Sequence, residues 1–545
     1  MHNMNIKRHL VQIWLLWAVM FSLTNPLQAQ FTYSTNAGAI TLVNYTGGGG
    51  NVVISNFVKI IGSNAFYNKT SLNGITIPAS VTNIGQSAFA FCGLTSVTIP
   101  DSVTSIGQQA FQECFSLTNA VIGNGVTNIG YELFYTCSYL KNITIGNRVT
   151  IIGTSAFSSC NSLTNVTIPT NIIVIGDYAF AGYNSLSTIT IPTNVTSIGI
   201  SAFYSSSYLT NVTIPASVTN IGNFAFSDCP SLTTISVATN NPVYSSVAGV
   251  LFNKNHTMLI SYPGGNVGNY TIPSSVTSVG NYAVYGCSLS SVTIGDSVTS
   301  IGSENFILCA NLTNVTIGKN VTAIWDDFGY EDFMDCPSLT TISVATNNPV
   351  YSSVAGVLFN KNQTTLISYP GGKVGNYTIP TNVTEVFTYA FRSCQGLTNI
   401  TIPNNVTSWG QGVFEYSTNL TGVYFQGNYN SGLSSSSSSF YKDNKVIVYY
   451  LPGTTGWDQW VSPPSAVLWN PQAQNDGSFG IRSNRFGFNI AGNSNVVVIV
   501  STCTNLSYPV WTPLQTLTLT NGSAYFCDLQ WTNYKSRYYS FSFPQ

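Results

Sequence analysis

The chain has 545 residues, of which 17 are Lys or Arg and 18 are Asp or Glu, so only 6% carry charge and the formal net charge is −1. Ordinary soluble domains are roughly 25% charged; here Thr, Asn, Ser and Gly fill the deficit while the hydrophobic fraction stays at 44%. This composition excludes disorder, which needs high charge and few β-branched residues, and argues against nucleic-acid binding, because no basic stripe could neutralise phosphates.

In chain order, residues 1–29 read as a secretory signal. Lys7 and Arg8 precede a short apolar core, Leu10–Leu23, and Leu27-Gln28-Ala29 is a small-residue cleavage site. The core is shorter than the ~20 residues a membrane anchor needs, and no later segment is long enough to span a bilayer. A secreted or cell-surface chain cleaved after Ala29 is expected. His256 is then its one remaining histidine.

After an N-terminal cap at 30–60, a 23-residue sentence takes over. Residues 94–116 read LTSVTIPDSVTSIGQQAFQECFS, and the opening Leu recurs at 72, 94, 117, 140, 163, 186, 209, 232, 289, 312, 339, 397 and 420. Alternation puts Leu94, Val97 and Ile99 into a core and Ser96 and Thr98 outside. Pro100 ends that strand. Val103–Ile106 is a second short strand, Gly107 permits a sharp turn, and Gln109–Cys114 is read as one helical turn burying Ala110, Phe111 and Cys114. One unit cannot bury this face alone, whereas stacked units share a continuous core. The neutral sentence also explains the missing charge. A charged repeat position would face its own copy about 5 Å away, while Thr, Asn and Ser can hydrogen-bond along the ladder.

These residues resemble the BspA-type leucine-rich repeat family, with a consensus near L-x-x-I-x-I-P-x-x-V-x-x-I-G-x-x-A-F-x-x-C, over about Ile60 to Phe425. The resemblance implies an exported or surface protein acting in adhesion and protein binding, and it carries over no fixed binding residue. The expected fold is mainly β with short helical turns: a leucine-rich-repeat solenoid of about 13 coils over 61–425, a cap and linker at 426–473, and a small β-sandwich-like module at 474–545.

Two longer units, 230–273 and 337–380, match at 41 of 44 positions and carry GVLFNKN followed by LISYPGG, which reads as an inserted hairpin. They differ at His256/Gln363, Met258/Thr365 and Asn266/Lys373. Nine of the eleven cysteines (92, 114, 137, 160, 229, 287, 309, 336 and 394) occupy one repeat position. Stacked equivalents point in parallel, so they are read as buried free thiols. Cys503 and Cys527 flank strand-like segments in the last module and are the one disulfide candidate.

No metal motif, P-loop or nucleophile elbow is present, so no catalytic residue, metal or cofactor is expected. Acids cluster once, in Ile324–Cys336, where Trp325, Asp326, Asp327, Phe328, Tyr330, Glu331, Asp332 and Asp335 form either a solvated bulge or a contact knob for protein or cation; a catalytic carboxylate pair is the remotest alternative. Variable tyrosines form two stretches, Tyr131, Tyr135 and Tyr139, then Tyr178, Tyr183, Tyr204 and Tyr208. They make a partner-binding edge if they stack across adjacent coils, and isolated covers of loop backbone if they do not. Trp511 and Trp531 are core packing or a sugar-stacking platform. The expected function is a non-catalytic, monomeric scaffold for a protein, cell-surface or matrix ligand. The alternative is a secreted glycan-binding or glycan-degrading protein using the bulge or the C-terminal aromatics.

Overall fold

The computed structural model describes residues 30–182, 185–324, 333–430, 439–460, 464–542 and 544. They fall into two compact units, one ending at Lys254 and the other beginning at Asn255. The signal segment, Tyr183 and Trp325–Asp332 lie outside the described residues.

The coils of the first unit share one construction. In Ser96–Ile99, Val97 and Ile99 are buried and Ser96 and Thr98 are exposed, the alternation that strand geometry imposes. This strand pairs in parallel with Asn119–Ile122, and the ladder continues through Asn142–Thr144 and Asn165–Val166, one repeat per step. A second ladder links Asn128–Ile129, Ile151–Ile152, Val174–Ile175, Ser197–Ile198 and Asn220–Ile221. The neutral outer residues bond between coils as expected: Asn142 Nδ2 donates to Asn119 Oδ1 at 2.9 Å, and the Thr118 hydroxyl to the Thr95 carbonyl at 3.0 Å.

The third side corrects the helical-turn expectation. Around Gln109–Cys114 the chain makes consecutive tight turns with Gln109 (φ 60°) and Glu113 (φ 53°) in the left-handed region. Their backbone bonds run across coils: Phe89 N–H donates to the Ala110 carbonyl at 2.8 Å and Phe111 N–H to the Leu133 carbonyl at 3.0 Å. Six residues are too few to nucleate a helix, and the neighbouring coil supplies acceptors at every second residue. Gly107 also has a different role from the one its position suggests. Its φ is ordinary, but a Cβ there would lie 2.3 Å from the Gln86 nitrogen of the preceding coil. The glycine is required by close approach between coils, and the left-handed strain falls on non-glycine residues.

The described residues form about 17 turns rather than the thirteen legible from Leu. Gly50–Val53, Gly268–Thr271 and Gly375–Thr378 are rungs without the opening Leu, and Ile447–Tyr450 and Ala466–Leu468 extend the ladder beyond Phe425. Segment 426–473 thus holds further rungs. Trp457 is buried there, with its ring 5.0 Å from those of both Phe425 and Tyr450.

Each insertion holds an antiparallel hairpin ahead of the one the sequence suggested, Tyr244–Val247 with Val250–Asn253 and Tyr351–Val354 with Val357–Asn360, and in the second copy the suggested pair, Val357–Asn360 with Thr365–Ser368, is antiparallel too. Each is held by a fully buried asparagine that the sequence did not flag. Asn348 Nδ2 donates to the Gly318 and Val321 carbonyls, both at 2.9 Å, and its Oδ1 accepts from Val350 N–H at 2.9 Å and Tyr351 N–H at 2.8 Å. Asn241 makes the equivalent four bonds in the first copy. Asn348→Ala should cost about 2–3 kcal/mol, because several buried backbone groups lose partners together. Equilibrium unfolding checks this, and a change below ~0.5 kcal/mol would refute the anchoring role.

The C-terminal strands form two antiparallel groups. Arg485–Ala491 pairs with Ser523–Asp528, Gly480–Arg482 and Gln472–Ala473, while Val497–Cys503 pairs with Thr512–Thr518 and Tyr538–Ser542. Their core includes Phe488, Ile490, Val498, Val500 and Phe526, and it also takes in Tyr424 and Tyr449. These two tyrosines occupy the outward face of Gly422–Phe425 and Ile447–Tyr450, with stacked rings 4.8 Å apart. The C-terminal strands therefore cover the outer face of the last rungs. Cys503 and Cys527 lie in different groups, and each is a free thiol.

Candidate interaction surface

The repeat register places each variable side chain in a column, and the columns decide which tyrosines can meet. Tyr135 and Tyr204 share the position after the core Phe, but Ser158 and Ala181 occupy the two coils between them. Tyr139 and Tyr208 share another column, separated by Ser162 and Ser185. At roughly 5 Å per coil, neither pair is in contact. Tyr131 and Tyr178 sit one and two residues after their glycines, in different columns. The described tyrosines are therefore dispersed along the turn edge and form no stacked strip. Tyr131, Tyr139, Tyr178 and Tyr208 are nevertheless exposed and join Phe115 and Ile200 in presenting large apolar groups there, while Tyr135 and Tyr204 are half-buried. A hydrogen bond and the charge of Glu132 push the Tyr131 phenol up, because both favour its protonated form.

The cysteine column has a purpose beyond small apolar filling. Cys92 Sγ donates to the Phe66 carbonyl of the preceding coil at 2.9 Å, Cys114 to Phe89 at 3.1 Å and Cys137 to Phe111 at 3.1 Å. Where Ser replaces Cys, Ser206 Oγ donates to Phe180 O at 3.4 Å and Ser417 Oγ to Phe391 O at 2.6 Å. Most coils place a small donor at this position, and Ser makes the same bond where it replaces Cys. Burial pushes the Cys92, Cys160 and Cys229 thiols up to about 12, so they carry almost no nucleophilic thiolate at neutral pH. A thiol reagent at pH 8 should modify at most Cys527, the one half-exposed cysteine, and all eleven after denaturation. Rapid native labelling of several repeat cysteines, read by mass spectrometry, would contradict this packing.

Of the acidic cluster, Asp335 is described, and it is half-buried and ion-paired. Arg392 bonds it through Nε and Nη2, both at 3.2 Å, and reaches Glu415 at 2.8 Å through Nη1, while the Ser393 hydroxyl also donates to Asp335. This ties the coil before the second insertion to two coils after it. The other members of the cluster lie outside the described residues. His256 adopts a left-handed turn (φ 56°) that its twin Gln363 (φ 57°) adopts without an imidazole. Among the described residues no group of three His, Cys, Asp or Glu could hold a metal ion. An open groove beside the last rungs is lined by Asn404, Thr407, Gln426, Asn428 and Thr454, all neutral. Trp531 is anchored by Nε1 donating to the Asn484 carbonyl at 3.1 Å, and Trp511 is partly exposed.

Stacked parallel rungs, a repeated Phe–Cys core and a neutral outer face define a leucine-rich-repeat solenoid protein. The model for the BspA-type leucine-rich repeat region matches residues 48–163, 150–256, 261–373 and 367–454, and the chain belongs to that family. Among solved structures it is similar to a leucine-rich cell surface protein from Faecalibacterium prausnitzii, at 26% identity and TM-score 0.47, covering 82% of this chain and 98% of the other. A leucine-rich repeat protein from Bacteroides ovatus follows at 20% identity and TM-score 0.35, covering 77% and 98%. The pneumococcal vaccine antigen PcpA is similar at 16% identity and TM-score 0.28, covering 81% and 88%. No curated protein sequence matches the chain.

Proposed function

We propose that the chain is an exported, non-catalytic scaffold that binds a protein or matrix ligand at the bacterial surface by extended contact along its repeats. The observation that carries this reading is the exposed turn edge, where Phe115, Tyr131, Tyr139, Tyr178, Ile200 and Tyr208 stand out from coils whose strand face is Asn and Thr. Aromatic side chains are the usual energetic centres of protein contacts, and Thr and Ser ladders are not. Export rests on the signal-like residues 1–29, and surface location also on the family. Among the described residues no helix is long and apolar enough to cross a membrane.

The test is a panel of purified extracellular-matrix proteins set beside a polysaccharide array, using the full chain and the double variant Tyr139→Ser/Tyr208→Ser. Capture of a matrix protein that falls at least tenfold in the variant supports the reading. Polysaccharide capture alone, or matrix capture unchanged by the variant, would move the function away from this edge.

A further inference from the structure

We propose that one end of the C-terminal strands is a docking surface for an anionic lipid membrane. Three segments meet there. The hairpin turn Arg482–Arg485 closes where Arg482 pairs with Arg485, and Phe486 pairs with Asp528, so the segment after Asp528 begins at the same end. Thr502 pairs with both Thr512 and Tyr539, which brings in the loop 504–511 and the end of segment 529–537. Side chains fix these segments to one another. Trp531 bonds the Asn484 carbonyl, Phe486 stacks on Tyr539 at 5.2 Å, and Asp528 accepts from Tyr539 Oη at 2.8 Å and pairs with Arg537 Nε at 3.0 Å.

Two properties coincide at this end. The first is apolar exposure at the loop tips: Tyr508 is 83% exposed, Val510 78% and Leu529 66%. Pro509 separates Tyr508 from Val510, and neither side chain has a role in the fold that would account for its exposure. The second is charge. Residues 479–545 contain four cations, Arg482, Arg485, Lys535 and Arg537, and one acid, Asp528. All four cations belong to this end, and the acid is buried and paired with Arg537. Arg482, Arg485 and Lys535 are exposed, an unusual concentration in a chain that is 6% charged.

Aliphatic and aromatic tips at the same end as exposed cations fit the membrane interface, where Tyr and Trp sit at headgroup level, apolar side chains reach the acyl boundary and each Lys or Arg gains from anionic headgroups. A single-stranded nucleic acid would use the rings but needs a longer cationic track than three side chains. An acidic polysaccharide would use the charges and rings but leaves Val510 and Leu529 without a partner.

The experiment is sedimentation of the full chain with vesicles of phosphatidylcholine containing 30% phosphatidylglycerol, and with pure phosphatidylcholine. Binding is expected to the anionic vesicles, at least tenfold weaker to the neutral ones, and lower at high salt, with a blue shift of tryptophan fluorescence as Trp511 approaches the interface. Arg482→Glu/Arg485→Glu and, separately, Tyr508→Ser/Val510→Ser should each weaken binding at least tenfold while circular dichroism stays unchanged. Absence of binding to anionic vesicles overturns the proposal, as does binding that neither variant alters. Retention on heparin-type polysaccharide or single-stranded DNA without vesicle binding overturns it in favour of a soluble polyanion. Concentration-dependent self-association lost in the Tyr508 variant, without vesicle binding, assigns the surface to a second copy.

Discussion

Replacing Asp443 with serine is expected to stabilise the end of the repeat array at and above neutral pH and to flatten its pH dependence. Asp443 stands three residues after the core Phe440, the position held by Cys or Ser in other coils, and is almost fully buried. Neither carboxyl oxygen reaches ordinary hydrogen-bond geometry. Burial is the main cause that pushes its pKa up to about 8; the pull of the Ser417 N–H opposes it, and the Glu415 carboxylate adds a smaller rise. A neutral carboxyl group carries the O–H donor this column uses, so the residue is tolerated while protonated. The sign follows from linkage. In the unfolded chain the carboxyl ionises near ~3.9, so between about 4 and 8 the folded state holds more protons and stability falls as pH rises. The slope reaches about 1.4 kcal/mol per pH unit, and the loss is on the order of 5 kcal/mol once pH passes the folded pKa. A serine hydroxyl in place of the carboxyl would remove this pH dependence and supply a donor as Ser417 does. Unfolding followed by tryptophan fluorescence at pH 5, 7 and 9 reports on Trp460, whose ring lies 6.3 Å from that of Phe440. If wild type and Asp443→Ser lose stability in parallel over that range, the carboxyl is not the cause.

Asp443 also indicates what was legible in the sequence. The step from Ser417 to Asp443 is 26 residues rather than 23, and with a carboxylate in the thiol position the rung no longer resembles its neighbours, although the ladder passes through it. Features set by one residue per repeat were readable: the inward Val and Ile, the neutral outer ladder, the thiol column and the duplicated hairpins. Features set by contact between coils were not. Gly107 suggested a turn, yet it is required by the backbone of the coil before it, and the left-handed residues Gln109 and Glu113 carry no sequence mark. The covered face of Tyr424 and Tyr449 was hidden for a related reason. Outward aromatic residues announce a partner without saying that the partner is the chain's own C-terminal segment.

The same inter-coil logic makes Phe134→Ala the most damaging single change expected in the first unit. Phe134 is fully buried in a continuous column of stacked rings, 5.4 Å from Phe111 and 5.7 Å from Phe157, with interplanar angles of 12° and 6°. Deleting a buried Phe side chain typically costs about 3–5 kcal/mol, and the upper part of that range is expected here. The backbones on either side are fixed by ladder bonds and cannot close over the space. In a stacked array stability is a sum of nearest-neighbour interfaces, and this ring contributes to two, so the first unit should lose cooperativity about that coil. The adjacent donor separates volume from hydrogen bonding. Cys137→Ser should be nearly neutral, as Ser206 occupies the same column, while Cys137→Ala should cost about 1 kcal/mol through the lost bond to the Phe111 carbonyl. Guanidinium titrations of the three variants, with hydrogen exchange to localise the opening, test the order. A Phe134→Ala protein within ~1 kcal/mol of wild type would mean that the ring column does not hold the coils together.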